Sequence, residues 1–147
     1  TEFGKKLDFR NNRIGRGKEI APEINWNINR HLLLEASHTY RTLDADDAQV
    51  FTANLTDVRF SYQFSVRSFL RLTLIYADIE YNPDNNIDPV DARERTLGTQ
   101  LLYSYKINPQ TLFFAGYSDN AYSDDEVEQL TRDQRSLFLK LSYAWML

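Results

Sequence analysis

Residues 135–147 read RSLFLKLSYAWML, and every odd position from 137 onward is apolar or aromatic: Leu137, Leu139, Leu141, Tyr143, Trp145 and Leu147. The even positions are mixed, with Ser136, Lys140 and Ser142 beside Phe138, Ala144 and Met146. Side chains alternate between the two faces of a strand, so this stretch is a ribbon with one greasy face and one face that tolerates a lysine. A soluble edge strand seldom keeps an unbroken apolar face of this length, because it would template aggregation. A strand that crosses a bilayer must keep one, and about 9–11 residues suffice when it is tilted. Tyr143 and Trp145 lie near the end, where amphipathic rings favour a membrane–water boundary.

The same alternation recurs through the chain. Residues 1–10 set Phe3, Lys5, Leu7 and Phe9 against Lys6, Asp8 and Arg10, a weak strand, and 11–17 (NNRIGRG) has the composition of a loop. Residues 18–29 place Ile20, Pro22, Ile24, Trp26 and Ile28 on one face, although Pro22 removes a ladder hydrogen bond. After a tight connection at 29–31, Leu32, Leu34, Ala36, His38 and Tyr40 oppose Leu33, Glu35, Ser37, Thr39 and Arg41. Residues 44–49 have the composition of an acidic loop. In 50–64 the second half shows Val58, Phe60, Tyr62 and Phe64 on one parity, while Phe51, Ala53 and Leu55 fall on the other. That change of phase predicts a bulge or emergence from a membrane. Leu70, Leu72, Leu74 and Tyr76 follow a short turn at 65–68; Leu97, Leu101, Tyr103, Tyr105 and Ile107 follow a polar loop at 82–94. Residues 111–117 are apolar on both parities and have no readable phase; 118–133 is a last acidic loop.

The expectation is eight strands in up-and-down order forming one all-β domain over residues 1–147, an antiparallel transmembrane β-barrel. Long connections at 11–17, 44–49, 82–94 and 118–133 alternate with short ones at 29–31, 65–68 and 108–110, as outer loops and periplasmic turns do in bacterial outer-membrane barrels. With the last strand running toward the periplasm, Trp26, Tyr62, Phe64, Tyr103, Tyr105, Tyr143 and Trp145 form one aromatic girdle, and Tyr40 and Tyr76 lie near the other ends of their strands. The negative mean hydropathy does not oppose this, since half of each barrel strand faces a polar interior. No apolar run reaches the length of a transmembrane helix. Residue 1 is not followed by a signal peptide, so the chain reads as mature or as a piece of something longer.

Charged residues on the opposite parity are Lys6, Asp8, Glu23, Glu35, Asp57, Arg59, Arg71 and Lys140, four acids and four bases. An eight-stranded barrel leaves an interior just wide enough for side chains, so these are expected to pair with one another as a polar plug, or else to mark an ion path. The net charge of −4 argues against nucleic-acid binding, which needs a concentrated basic face. There is no cysteine, hence neither a disulfide framework nor a thiolate metal site. His31 and His38 are the two histidines, too few for a zinc site, and the acidic loops do not match the spacing of a calcium loop. Ser37 and His38 point to opposite faces of one strand, which defeats a triad with Asp44. No cofactor, metal or catalytic residue is therefore expected.

The final stretch resembles the C-terminal signal strand of bacterial outer-membrane barrels, with Leu147 where the usual residue is Phe or Trp. More specifically, NWNINRHLLLEASHTY (25–40), VRFSYQFSVRSFLRL (58–72), 111–120 and 135–145 resemble the C-terminal barrel segment of a poorly characterised family of Gram-negative outer-membrane proteins. That family carries an N-terminal domain similar to family-9 carbohydrate-binding modules, of which this chain has no trace. The resemblance implies an outer-membrane location, contact with membrane lipid and lipopolysaccharide, and insertion by the barrel-assembly machinery through the last strand. It also implies a structural or transport-related role, or a place in a larger pore or glycan-uptake barrel. A lipocalin-like soluble barrel, with the apolar face turned inward, is the rival reading.

Overall fold

The computed structural model describes residues 1–9, 11–127 and 129–144. Nine antiparallel strands form a single sheet: β1 (Glu2–Asp8), β2 (Arg13–Ile20), β3 (Glu23–Asn27), β4 (Leu32–Ala45), β5 (Ala48–Ser65), β6 (Ser68–Tyr81), β7 (Arg93–Asn108), β8 (Thr111–Ser123) and β9 (Thr131–Tyr143). The order is β1-β2-β4-β5-β6-β7-β8-β9, with β3 also against β4. Every neighbour in this order follows in sequence once β2 and β3 are counted as one strand. They share β4 as partner, β2 pairing with residues 40–44 and β3 with residues 33–37. Ala21-Pro22 interrupts them because proline brings no N–H to the ladder. The carbonyl of Pro22 still accepts from the His38 amide at 3.0 Å. The expected eight-strand meander is thus present with its second strand broken at the proline. Among the described residues β1 and β9 are not paired with each other, so the sheet is open.

Two expected loops are strand or tight turn instead. Residues 13–17 belong to β2, paired with β1 from Asp8↔Arg13 to Gly4↔Gly17. Their glycines are close-approach positions. A Cβ on Gly17 would stand 2.5 Å from Lys6 Cγ, and one on Gly15 would stand 2.5 Å from the Asp44 carbonyl oxygen. Residues 44–49 form a hairpin whose turn is Asp46-Asp47, at φ 54° and 60°. Two successive positive φ values give the turn whose twist matches the flanking strands, and Asp is among the few side chains that tolerate them. The expected contrast of long and short connections therefore holds for the later loops, 82–92 and 124–130, but not for the first two.

Of the two readings of the phase change within β5, the bulge is absent. Register with β6 runs without a break from Phe51↔Tyr81 to Gln63↔Phe69, so Phe51, Ala53 and Leu55 lie on the same face as Asp57 and Arg59. The irregularity lies higher, between Leu43 and Asp44 of β4. Here Leu43, Ala45 and Val50 form the buried apolar cluster, with Phe51 packed against it. The phase of β8 is settled by its partners: Phe113, Ala115 and Tyr117 lie opposite Tyr105, Tyr103 and Leu101.

Candidate functional site

The two faces of the sheet are chemically distinct. Across β3 to β9 the central register row of one face is Trp26, Leu34, Phe60, Leu72, Leu101, Tyr117 and Leu137. The next row toward the short turns is Leu32, Tyr62, Leu70, Tyr103, Ala115 and Leu139. Every described residue of the expected girdles lies on this face: Trp26, Tyr40, Tyr62, Phe64, Tyr76, Tyr103, Tyr105 and Tyr143. Trp145 lies outside the described residues. The large side chains stand in the open, with Trp26 57%, Phe64 55%, Leu137 77%, Leu139 71% and Tyr143 58% exposed. Tyr62 and Phe64 meet edge to face at 4.8 Å.

The opposite face carries all eight of the expected inner charges, Lys6, Asp8, Glu23, Glu35, Asp57, Arg59, Arg71 and Lys140. Its central row is Asn25, Glu35, Arg59, Thr73, Gln100, Ser118 and Ser136. The expected mutual pairing is mostly not made. Among the described residues, Glu35–Arg59 at 3.8 Å is the ion pair joining two of the eight. Lys6 pairs with Glu2 and Asp8 with Arg13. Glu23 accepts from Asn25 at 2.8 Å, and Arg71 donates to Ser61 at 3.3 Å while lying over Phe69. Spacing is the reason, because the eight are spread along the length of the strands and over many of them, and most meet a nearer polar neighbour first. Toward the long-loop end this face turns apolar, with Leu43, Phe51, Ala53 and Ile79 on it. A cavity of about 370 Å³ opens there, lined by Lys6, Asp8, Glu19, Arg41, Leu43 and Phe51 among others. Ser37 is on this face and His38 on the other, where its Nδ1 lies 2.9 Å from Thr56 Oγ1.

A polar knot that sequence reasoning did not find closes the long-loop end. Asp8 and Asn11 are buried. Asn11 donates through its side chain to Asp8 at 2.7 Å and to Asn86 Oδ1 at 3.1 Å, and it accepts from the Ile87 amide at 2.8 Å. Arg13 binds Asp8, Asp46 and the Asn85 carbonyl, while the Asn85 side chain caps the Ala45 and Ala48 carbonyls of the β4–β5 turn. The 82–92 loop is thereby tied over two hairpins. Burial pushes the Asp8 carboxyl up, but the hydrogen bonds from Asn11 and Arg13 outweigh it and hold the carboxyl below its ordinary value. The linkage sign follows: the contribution of Asp8 is whole above the unfolded carboxylate range near pH 4 and is lost as pH falls through the lowered value. Amide exchange at Ile87 should therefore lose its protection below about pH 4, and Asp8→Asn should reproduce that loss at neutral pH. Protection unchanged in both experiments would contradict the linkage.

The charges on the aromatic face have an order of their own. They are confined to the long-loop end, and the innermost one lies deeper on β6 to β9 than on β2, while β4 has Asp44 one row outside Lys18 and β5 has none. Lys18 on β2 shares a row with Thr42. Asp78 and Arg95 lie one row further in, with Asn54. Asp119 and Arg135 lie two rows beyond that, with Val58 and Leu74. Three rows are six residues, or about 20 Å at about 3.3 Å per residue. The six strand steps from β2 to β9 cover about 29 Å at about 4.8 Å each. From β2 to β9 the edge of the uncharged band thus falls with a mean slope of about 35° to the hydrogen-bonding direction. No family model, curated protein or solved structure matches this chain.

Proposed function

We propose that the sheet is the wall of an outer-membrane β-barrel whose aromatic face meets lipid, and that its role is structural or transport-related, without catalytic chemistry. One observation carries this reading, the oblique edge of the uncharged band. A membrane surface is flat, and barrel strands tilt by about 35–45° to the axis, so the level at which charge gives way to hydrocarbon must step from strand to strand. The slope of about 35° falls in that range. A soluble barrel that buries this face, as a lipocalin would, has no reason to place Trp and Tyr toward both ends of it or to set its charges deeper on one side of the sheet than on the other. Lipid and lipopolysaccharide are then the partners of the aromatic face. The last strand, of which 145–147 lie outside the described residues, would be the handle for barrel-assembly machinery.

Two versions of the barrel differ in the lumen. Closed at this strand number through β1 and β9, it leaves only room for side chains and does not conduct. As part of a wider barrel, with further strands on the free edges of β1 and β9, the half-exposed Glu35 and Arg59 would line water. The closed form is the one a chain acting alone must adopt, since bare sheet edges are not tolerated in hydrocarbon. Planar-bilayer recording on the purified 147-residue chain is expected to show no steady conductance steps; reproducible steps would mean an open lumen and would favour the larger pore.

A further inference from the structure

The hairpin of β1 and β2 keeps its acids on one face and leaves three bases alone on the other. Glu2, Asp8 and Glu19 are all on the charged face, where they pair with Lys6, Arg13 and Arg41. Lys5, Arg16 and Lys18 are all on the aromatic face, with Lys5 opposite Arg16 and Lys18 opposite Phe3. These three bases are exposed and join no ion pair among the described residues. Asp44 is the register partner of Arg16 on the same face, but no ion pair joins them. Interleaved with the bases are exposed apolar side chains, Phe3 and Ile14 each at 68% and Leu7 at 47%. The Lys18 ammonium sits 5.7 Å from the centre of the Phe3 ring. Elsewhere along the same edge of the band the bases are already engaged, Arg93 with Asp78 and Arg132 with Asp119.

We infer that Lys5, Arg16 and Lys18 form a binding site for the phosphate groups of membrane lipid at the outer boundary of the bilayer, the occupant being lipid A. The inference rests on the membrane reading above and adds to it a named lipid chemistry and a place. Three cations within two neighbouring rows on an otherwise acidic chain of net charge −4 complement a headgroup that carries two phosphates. Phe3 in the row of Lys18 and Ile20 in the next row toward the uncharged band suit the acyl chains of the same molecule, and long basic side chains reach from such a surface to the headgroup level. The site also lies on the slanted edge where charge gives way to hydrocarbon, the height at which lipid phosphates stand.

The test uses the full chain folded in phosphocholine micelles and titrated with lipid A carrying both phosphates, or with lipid A stripped of them, the bound lipid being counted by native mass spectrometry. A basic side chain near an anionic surface contributes roughly fivefold in affinity, so Lys5→Gln, Arg16→Gln and Lys18→Gln together should weaken binding about a hundredfold. Lys140→Gln, on the opposite face, should leave it unchanged. Stripped lipid A should bind as weakly to the unaltered chain as the phosphorylated form does to the triple variant, a comparison that stands even if the variant fails to fold. Equal binding of the two lipids, or of the variant and the parent chain, overturns the site; displacement of lipid A by millimolar inorganic phosphate does so too, by making it a free-anion site. If the chain stays in water without detergent and does not enter phosphatidylcholine vesicles, the membrane reading itself fails and the site goes with it.

Discussion

Replacing Leu72 by lysine is expected to destabilise the folded chain by about 2–4 kcal/mol in phospholipid bilayers, whereas Gln100→Lys should change stability by less than about 1 kcal/mol. The two positions are close neighbours. Leu72 pairs with Leu101 in the central row of the aromatic face, and Gln100 pairs with Thr73 in the central row of the charged face. A charge at Leu72 must leave water for hydrocarbon or drag water inward. A charge at Gln100 joins a row that already holds Glu35 and Arg59. Urea titrations of both variants in the same lipid decide the matter. Equal costs would mean that neither face is in hydrocarbon, and a larger cost at Gln100 would turn the sheet inside out.

The second large effect concerns backbone rather than solvent. Gly15→Ala is expected to cost about 1–3 kcal/mol, and a valine there more, because the added Cβ would stand 2.5 Å from the carbonyl oxygen of Asp44. That oxygen belongs to a neighbouring strand and cannot swing aside as a side chain tip can. Gly98→Ala is the control, since its Cβ would meet the Asn120 side-chain oxygen at 3.3 Å, and a small rotation of Asn120 relieves it. Unfolding midpoints for the pair should separate clearly. A Gly15→Ala chain as stable as the parent would show that β2 does not approach the β4–β5 hairpin as closely as described.

These glycines also explain what the sequence left hidden. The strands whose one face is a run of Leu, Val, Phe and Tyr, such as β4, β6 and β9, are legible because period-two patterning is carried by large apolar side chains. In the middle of β2 the charged face is Gly15 and Gly17, so the alternation there is between side chains and nothing, and composition alone reads as loop. Asp46-Asp47 carries a two-residue turn without the Asn-Gly or Asp-Gly pair that usually announces one. Phe51, Ala53 and Leu55 keep their register but change the character of their face, from polar at Arg59 to apolar under the 82–92 loop, and a parity rule cannot tell that from a bulge. The knot of Asp8, Asn11, Arg13, Asn85 and Asn86 was invisible for another reason. It joins residues more than seventy positions apart, and no local signal marks a distant partner. That the eight charges share one face follows from parity; which of them pair does not, because pairing depends on height along the strands.

The central claim is that the aromatic face of this sheet lies against lipid and the charged face does not. The chain has no cysteine, so single cysteines at 70 to 75 on β6 can each carry a nitroxide without competing thiols. In phosphatidylcholine bilayers, collision rates with oxygen, which concentrates in hydrocarbon, should alternate residue by residue, and a water-soluble nickel chelate reports any position open to water. The account predicts high oxygen contact at Leu70, Leu72 and Leu74 and low oxygen contact at Arg71, Thr73 and Ile75, which face the filled interior. Alternation in the opposite phase, or nickel contact at all six positions, would contradict it.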